Sequence, residues 1–134
     1  MSSYSKKAAS IVAKDLDGKY LMQFRDSGGG RSNPRNALTW GFFGGHYEDD
    51  ESPAAALIRE FEEETTIRVS ENELAYLGEG VFDDTLIALY AMSRPVSWSE
   101  IEVREGAGAG FFTRAELEQL PLAGYSDGLI RKLL

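Results

Sequence analysis

Gly45-His46-Tyr47-Glu48-Asp49-Asp50-Glu51-Ser52-Pro53-Ala54-Ala55-Ala56-Leu57-Ile58-Arg59-Glu60-Phe61-Glu62-Glu63-Glu64-Thr65-Thr66-Ile67 is the stretch from which the fold is read. Ser52 is a natural helix N-cap, because its side-chain oxygen can take an N–H that the first turn leaves over. Pro53 suits the first helical position, where its missing N–H costs nothing. Ala54, Leu57, Ile58 and Phe61 follow at i, i+3, i+4 and i+7, one apolar stripe for a core. On a wheel turning about 100° per residue, Glu60, Glu63 and Glu64 share a narrow stripe beside the apolar one, while Glu62 falls on the far side. Like charges at these spacings repel, so the arrangement is costly unless something positive neutralises it. A hard divalent cation with oxygen ligands answers that need, Mg²⁺ before others. Arg59, four residues before Glu63, can reach that carboxylate and orient it.

Outward from this helix, Thr39 to Phe43 reads as a short aromatic strand ending at Gly44-Gly45. Ala8 to Ala13 is an apolar run, and Asp15-Leu16-Asp17-Gly18 is turn chemistry. Lys19 to Arg25 then alternates, with Tyr20, Met22 and Phe24 on one face and Leu21, Gln23 and Arg25 on the other, which predicts a hairpin. Gly28 to Asn36 is a loop by composition. Leu74 to Phe82 and Thr85 to Met92 are expected as two strands joined at Asp83-Asp84, the second buried on both faces. Ile101 and Val103, alternating with Glu102 and Arg104, predict a further short strand. Thr113-Arg114-Ala115-Glu116 is a capping box opening a helix that Pro121 stops, and Ser126 is the expected cap of a last helix carrying Leu129, Ile130 and Leu133. The order of elements predicts an α/β chain with a mixed sheet and helices packed on it.

Composition sets the outer bounds. Asp and Glu number 22 against 14 Lys and Arg, for a net charge of −8 over 134 residues. Such a chain repels a nucleic-acid backbone, so no nucleic-acid polymer is expected as partner. The longest wholly apolar stretch, Leu86 to Met92, is too short for a bilayer, so no membrane partner is expected either. The first residues show no apolar run of signal-peptide length, and the chain has no cysteine; both fit a cytoplasmic protein. No repeat or low-complexity linker divides residues 1–134, which are read as one domain.

The spacing from Gly45 carries more. Five residues lead to Glu51, seven more to Arg59-Glu60, then Phe61, one residue, and Glu63-Glu64. In this pattern the chain resembles the Nudix hydrolases, whose signature is G-x5-E-x7-R-E-U-x-E-E-x-G-U with U apolar. Every charged position of residues 45–67 matches. Thr66 stands where the family has glycine, and a β-branched residue resists the left-handed conformation that ends such helices, so an altered helix end is expected. Phe43 replaces a frequent proline. Trp40 to Gly45, the flanking strands and Gly110-Phe111-Phe112-Thr113 also look family-like.

The resemblance implies a Nudix-like α/β/α sandwich with a mixed β-sheet and a catalytic loop–helix–loop. It implies Mg²⁺- or Mn²⁺-dependent hydrolysis of a nucleoside diphosphate linked to another group, a (d)NTP or small nucleotide derivative among them. Glu60, Glu63 and Glu64 match its metal-ligand positions, Gly45 the glycine whose carbonyl often coordinates metal, and Glu51 a supporting ligand. The general base stays open between Glu63 or Glu64 within the motif and Glu102 or Glu105 downstream. Arg25 looks like a phosphate-contacting arginine or is a surface charge; Trp40 is a platform for a base or a core aromatic. Arg31 and Arg35 are further loop cations, and His46 is expected to tune the motif loop because hard cations prefer oxygen. Pairs are common among similar proteins, which makes a homodimer one expectation. Two other readings share the fold: a module that senses a nucleotide without cleaving it, and an allylic diphosphate isomerase, for which this chain lacks cysteine.

Overall fold

The computed structural model describes residues 4–25, 38–103 and 108–134. Among the described residues seven strands form two sheets rather than one. The first runs β4-β1-β6-β5, built from Phe43–His46, Lys6–Val12, Thr85–Met92 and Leu74–Phe82; the second runs β3-β2-β7, from Thr39–Gly41, Tyr20–Arg25 and Gly108–Phe112. In the first sheet β1 is antiparallel to β4 and parallel to β6, and β6 is antiparallel to β5, so this sheet is mixed. The second is wholly antiparallel.

Two expectations change here. The aromatic strand predicted over Thr39–Phe43 is two strands in different sheets. At the step between them Phe42, 1% exposed, leaves both ladders, and its N–H donates to Ser126 Oγ at 3.1 Å. The hairpin predicted from Ala8 to Arg25 survives only at its turn. Asp15 Oδ1 accepts the N–H groups of Asp17 and Lys19, and Leu21 N–H reaches the Ala13 carbonyl at 2.9 Å. Beyond that point the strands part, because both edges of β1 are taken by β4 and β6 and β2 must find other partners.

Helix α1, Pro53–Thr65, lies on one face of the four-stranded sheet, where Leu57 and Phe61 pack with Ala9, Ile11 and Phe43. Helix α3, Gly124–Leu133, covers the other face, where Leu129 and Ile130 pack with Val12, Phe42, Ile87 and Leu89. Burial of these apolar side chains on both faces is the main stabilising term. A single turn, α2 (Arg114–Leu117), carries the expected capping box at Thr113 and Glu116. Ser126 does not cap α3: the helix begins two residues earlier, and the hydroxyl is spent on Phe42 inside the core.

Strands β5 and β6 meet at Asp83-Asp84 as expected, both residues at positive φ. The strand predicted around Ile101 does not form among the described residues; Ile101 to Val103 is irregular, and its backbone is held to the end of α1, with Glu102 N–H on the Thr65 carbonyl at 3.0 Å. Gly28 to Asn36 and Arg104 lie outside the described residues.

Candidate functional site

Helix α1 presents its acids along a gradient of burial. Its cap forms as expected, with Ala55 N–H donating to Ser52 Oγ at 3.0 Å. Side-chain exposure is 59% for Glu63 and 26% for Glu60, while Glu64 is 4% exposed. The stripe therefore runs from solvent down to the core boundary, as the wheel requires. Glu62, Glu63 and Glu64 also crowd the C-terminal half of a helix with no basic residue in its last turn, where the macrodipole disfavours negative charge.

The helix end is not altered by Thr66. This residue takes the left-handed conformation itself, φ 68° and ψ 1°, and its N–H closes the helix on the Glu62 carbonyl at 2.9 Å. Its hydroxyl meets the Glu100 carbonyl at 3.2 Å and the Thr65 carbonyl. Tertiary hydrogen bonds thus hold a β-branched residue where glycine would sit without strain.

Arg59 does more than orient Glu63. Its guanidinium forks onto Glu51, with Nε on Oε2 at 3.2 Å and Nη2 on Oε1 at 3.1 Å, while Nη1 reaches Glu60 Oε1 at 2.9 Å. Glu63 is a more distant partner at 3.8 Å. The hydrogen bonds it donates to Glu51 and then Glu60 raise the guanidinium pKa further above its ordinary value, so it stays charged. Glu51, eight residues upstream, is thereby tied to the helix.

Gly45 on β4 stands against Glu60. A Cβ at Gly45 would lie 2.7 Å from Glu60 Cγ and 2.8 Å from Cδ, so glycine alone lets the strand backbone come this close to the carboxylate. Its neighbour Gly44 is needed for the same reason on the other side, where a Cβ would meet the Ala9 carbonyl at 2.1 Å. Carboxylate oxygens are the donors that hard cations such as Mg²⁺ and Mn²⁺ take, and by that chemistry Glu60 suits either ion. Among the described residues no three acidic or histidine side chains converge as a metal-holding group; Arg59 supplies the positive charge within the cluster.

The structure brings Arg25 to the motif. Arg25, Gly44, Gly45, His46 and Tyr125 line one cleft of about 100 Å³. Arg25 Nη1 donates to the Tyr125 hydroxyl at 3.2 Å, and its Nε is buried with no acceptor among the described residues. His46 is exposed at the cleft mouth. Trp40 is placed elsewhere: it pairs across strands with Phe24, one register step from Arg25 and so on the opposite face. Its ring is 5.0 Å from Phe24 and 4.8 Å from Phe112. Glu105, Arg31 and Arg35 lie outside the described residues. Tyr125 was missed in the sequence; it is 100 residues from Arg25, and nothing local marks it.

A mixed sheet covered by a helix on each face, with an acidic helix entered from a glycine strand, defines a protein of α/β/α architecture. The NUDIX domain matches residues 5–133, and the chain belongs to the Nudix family. It is similar in structure to MutT from Methanosarcina mazei Go1, at 19% identity and a TM-score of 0.80, covering 98% of this chain and 94% of that one. It is similar also to a MutT structure from work on Aliivibrio salmonicida and Vibrio cholerae, at 21% identity and a TM-score of 0.75, covering 95% and 94%. A bifunctional NMN adenylyltransferase/ADP ribose pyrophosphatase from Francisella tularensis, complexed with AMP and a Mn ion, aligns at 21% identity and a TM-score of 0.71 over 97% of this chain and 41% of that one. No curated protein matches the chain in sequence. Family and fold together support a hydrolase of a pyrophosphate bond. No described helix is long and apolar enough to cross a membrane.

Proposed function

We propose that this chain is a divalent-metal-dependent pyrophosphohydrolase that cleaves a nucleoside diphosphate linked to another group, a (d)NTP or small nucleotide derivative being the substrate class. The observation that carries the proposal is the closeness of Gly45 to Glu60, on a helix where Glu63 and Glu64 follow in the same stripe. In this reading Glu60, Glu63, Glu64 and the Gly45 carbonyl hold Mg²⁺ or Mn²⁺, with Glu51 in support. A bound cation would neutralise the pyrophosphate and acidify the attacking water.

The chain's own residues do the rest. Arg59 keeps Glu51 and Glu60 in place and screens their mutual repulsion in the absence of metal. Arg25 offers a phosphate its guanidinium in the cleft that Gly44 and Gly45 also line. One of Glu63, Glu64, Glu102 and Glu105 takes the proton from water, a step typically contributing about 10²–10⁴-fold. Trp40, held in its aromatic stack, is assigned to packing before any base contact.

Residues 5–133 are read as one hydrolytic unit. A cytoplasmic setting belongs to the same proposal, supported by the absence of cysteine. A screen of nucleoside di- and triphosphates, nucleotide sugars and dinucleotides with Mg²⁺, followed by product analysis, tests it. Release of a nucleotide product that depends on metal supports hydrolysis; tight binding without products would instead make the protein a sensor.

A further inference from the structure

Arg94, just beyond β6, is not a motif residue, yet its guanidinium joins three segments that surround the carboxyl end of α1. Nε pairs with Glu73 Oε2 at 3.1 Å, Nη1 with Glu100 Oε1 at 3.1 Å, and Nη2 with the Arg68 carbonyl at 3.1 Å. Both carboxylates are themselves members of capping boxes. Glu73 Oε1 accepts the Ser70 N–H at 2.9 Å in front of the 3₁₀ turn Glu71–Glu73, and Glu100 Oε2 accepts the Ser97 N–H at 2.8 Å in front of the 3₁₀ turn Trp98–Glu100. Each carboxylate thus gives one oxygen to its own turn and the other to Arg94.

The second turn leads directly to the site. The Glu100 carbonyl accepts Thr66 Oγ1, and two residues on Glu102 N–H donates to the Thr65 carbonyl, the residue after Glu64. Only the planar guanidinium has donors aimed at three acceptors in this arrangement; an ammonium is a point charge on a flexible stem. The pairing is about one-third exposed at Arg94 and 40% exposed at Glu100, so raw ion-pair energy is small and geometry is what the fork supplies.

We propose that Arg94 is a positioning residue for the hydrolytic site: by clamping two 3₁₀ turns and the irregular segment that leaves α1, it fixes the Glu102 segment in register on the last turn of the Glu60–Glu64 helix. This rests on the hydrolase reading for its catalytic consequence, but not for its structural one.

The test has two arms, using Arg94→Met and the milder Glu100→Gln in the full chain. In the first, amide exchange is followed by NMR without substrate. Exchange at Glu102 is expected to rise about tenfold or more in Arg94→Met and less in Glu100→Gln, relative to the core amide of Ile11 in β1. In the second, with whichever nucleotide the parental protein hydrolyses fastest, kcat is expected to fall about tenfold with KM within about twofold, and Arg94→Lys to recover only part of it. Unchanged relative exchange at Glu102 in both variants overturns the proposal, as does a fall in KM-type binding with kcat intact. If no nucleotide is hydrolysed by the parental protein, the hydrolase reading fails while the exchange arm still decides the role of Arg94.

Discussion

Arg59 and Glu51 are joined in a two-pronged ion pair across eight residues, tying the loop before α1 to the middle of the helix. The pair is between a quarter and a half exposed, 45% at Arg59 and 27% at Glu51, so its worth to global stability is small. Its effect is local. Without the guanidinium, Glu51, Glu60 and Glu63 face one another with no counter-charge. Arg59→Gln is therefore expected to lower the Mg²⁺ concentration for half-maximal activity modestly and to lower kcat, because loss of repulsion screening favours metal while loss of orientation harms turnover. A metal titration of initial rate separates the two effects.

Replacing Gly45 by alanine puts a methyl group within 2.7–2.8 Å of the Glu60 side chain. Overpacking of this kind costs about 1–3 kcal/mol, and the carboxylate is the part free to move away. The expected outcome is weaker activation by Mg²⁺ with a modest loss of thermal stability. Parental metal activation in Gly45→Ala would remove Glu60 from the metal set.

Glu64→Gln keeps the volume of a buried side chain and removes its charge. Folding should survive, as judged by circular dichroism, while turnover falls by about 10²–10⁴-fold or more. A variant that hydrolyses substrate at the parental rate would end the assignment of Glu64.

Metal binding to the folded chain alone should raise its melting temperature. At a hundred times the dissociation constant the gain is about 2.7 kcal/mol, and Glu64→Gln should abolish most of the shift. A chain whose acids bind nothing would show no shift with millimolar Mg²⁺ or Mn²⁺.

At Thr66 two substitutions separate strain from hydrogen bonding. Thr66→Ala keeps the left-handed strain and loses the bond to the Glu100 carbonyl; Thr66→Gly loses the bond and the strain together. Glycine is expected to be more stable than alanine there by about 1 kcal/mol in urea titration. Equal stabilities would mean that the left-handed turn carries no strain.

Glu100 and Glu116 bear on stability in acid. The Ser97 backbone N–H, followed by Arg94, holds the Glu100 carboxyl below its ordinary value, and the Thr113 N–H does the same for Glu116. Since the folded pKa is depressed, the contribution is present above the unfolded value near 4.5 and is lost as pH falls through the lower folded value. Glu100→Gln should flatten that acid limb, lowering stability modestly near neutral pH and leaving it nearly unchanged at about pH 3, measurable by thermal melts from pH 6 downward.

The features legible in the sequence were those set by neighbours along the chain. Ser52 and Pro53 start α1, the stripe from Ala54 to Phe61 buries it, and Glu60, Glu63 and Glu64 share a face because the helical period puts them there. The capping box at Thr113 and the turn at Asp83-Asp84 are equally local. The splitting of Thr39–His46 between two sheets, the parting of β1 from β2 and the use of Ser126 in the core were not legible, because each depends on which distant strand or helix satisfies a backbone group.

The site divides along the same line. Residue spacing alone determined the acidic stripe and the motif that names the family, since a helix converts sequence separation directly into angle. Only the tertiary structure decided that Gly45 abuts Glu60, that Arg25 shares a cleft with Gly45 and Tyr125, and that Arg94 joins Glu73, Glu100 and the Arg68 carbonyl. Those contacts join residues far apart in the chain, and their geometry is fixed by how the sheets and helices pack, which no local periodicity encodes.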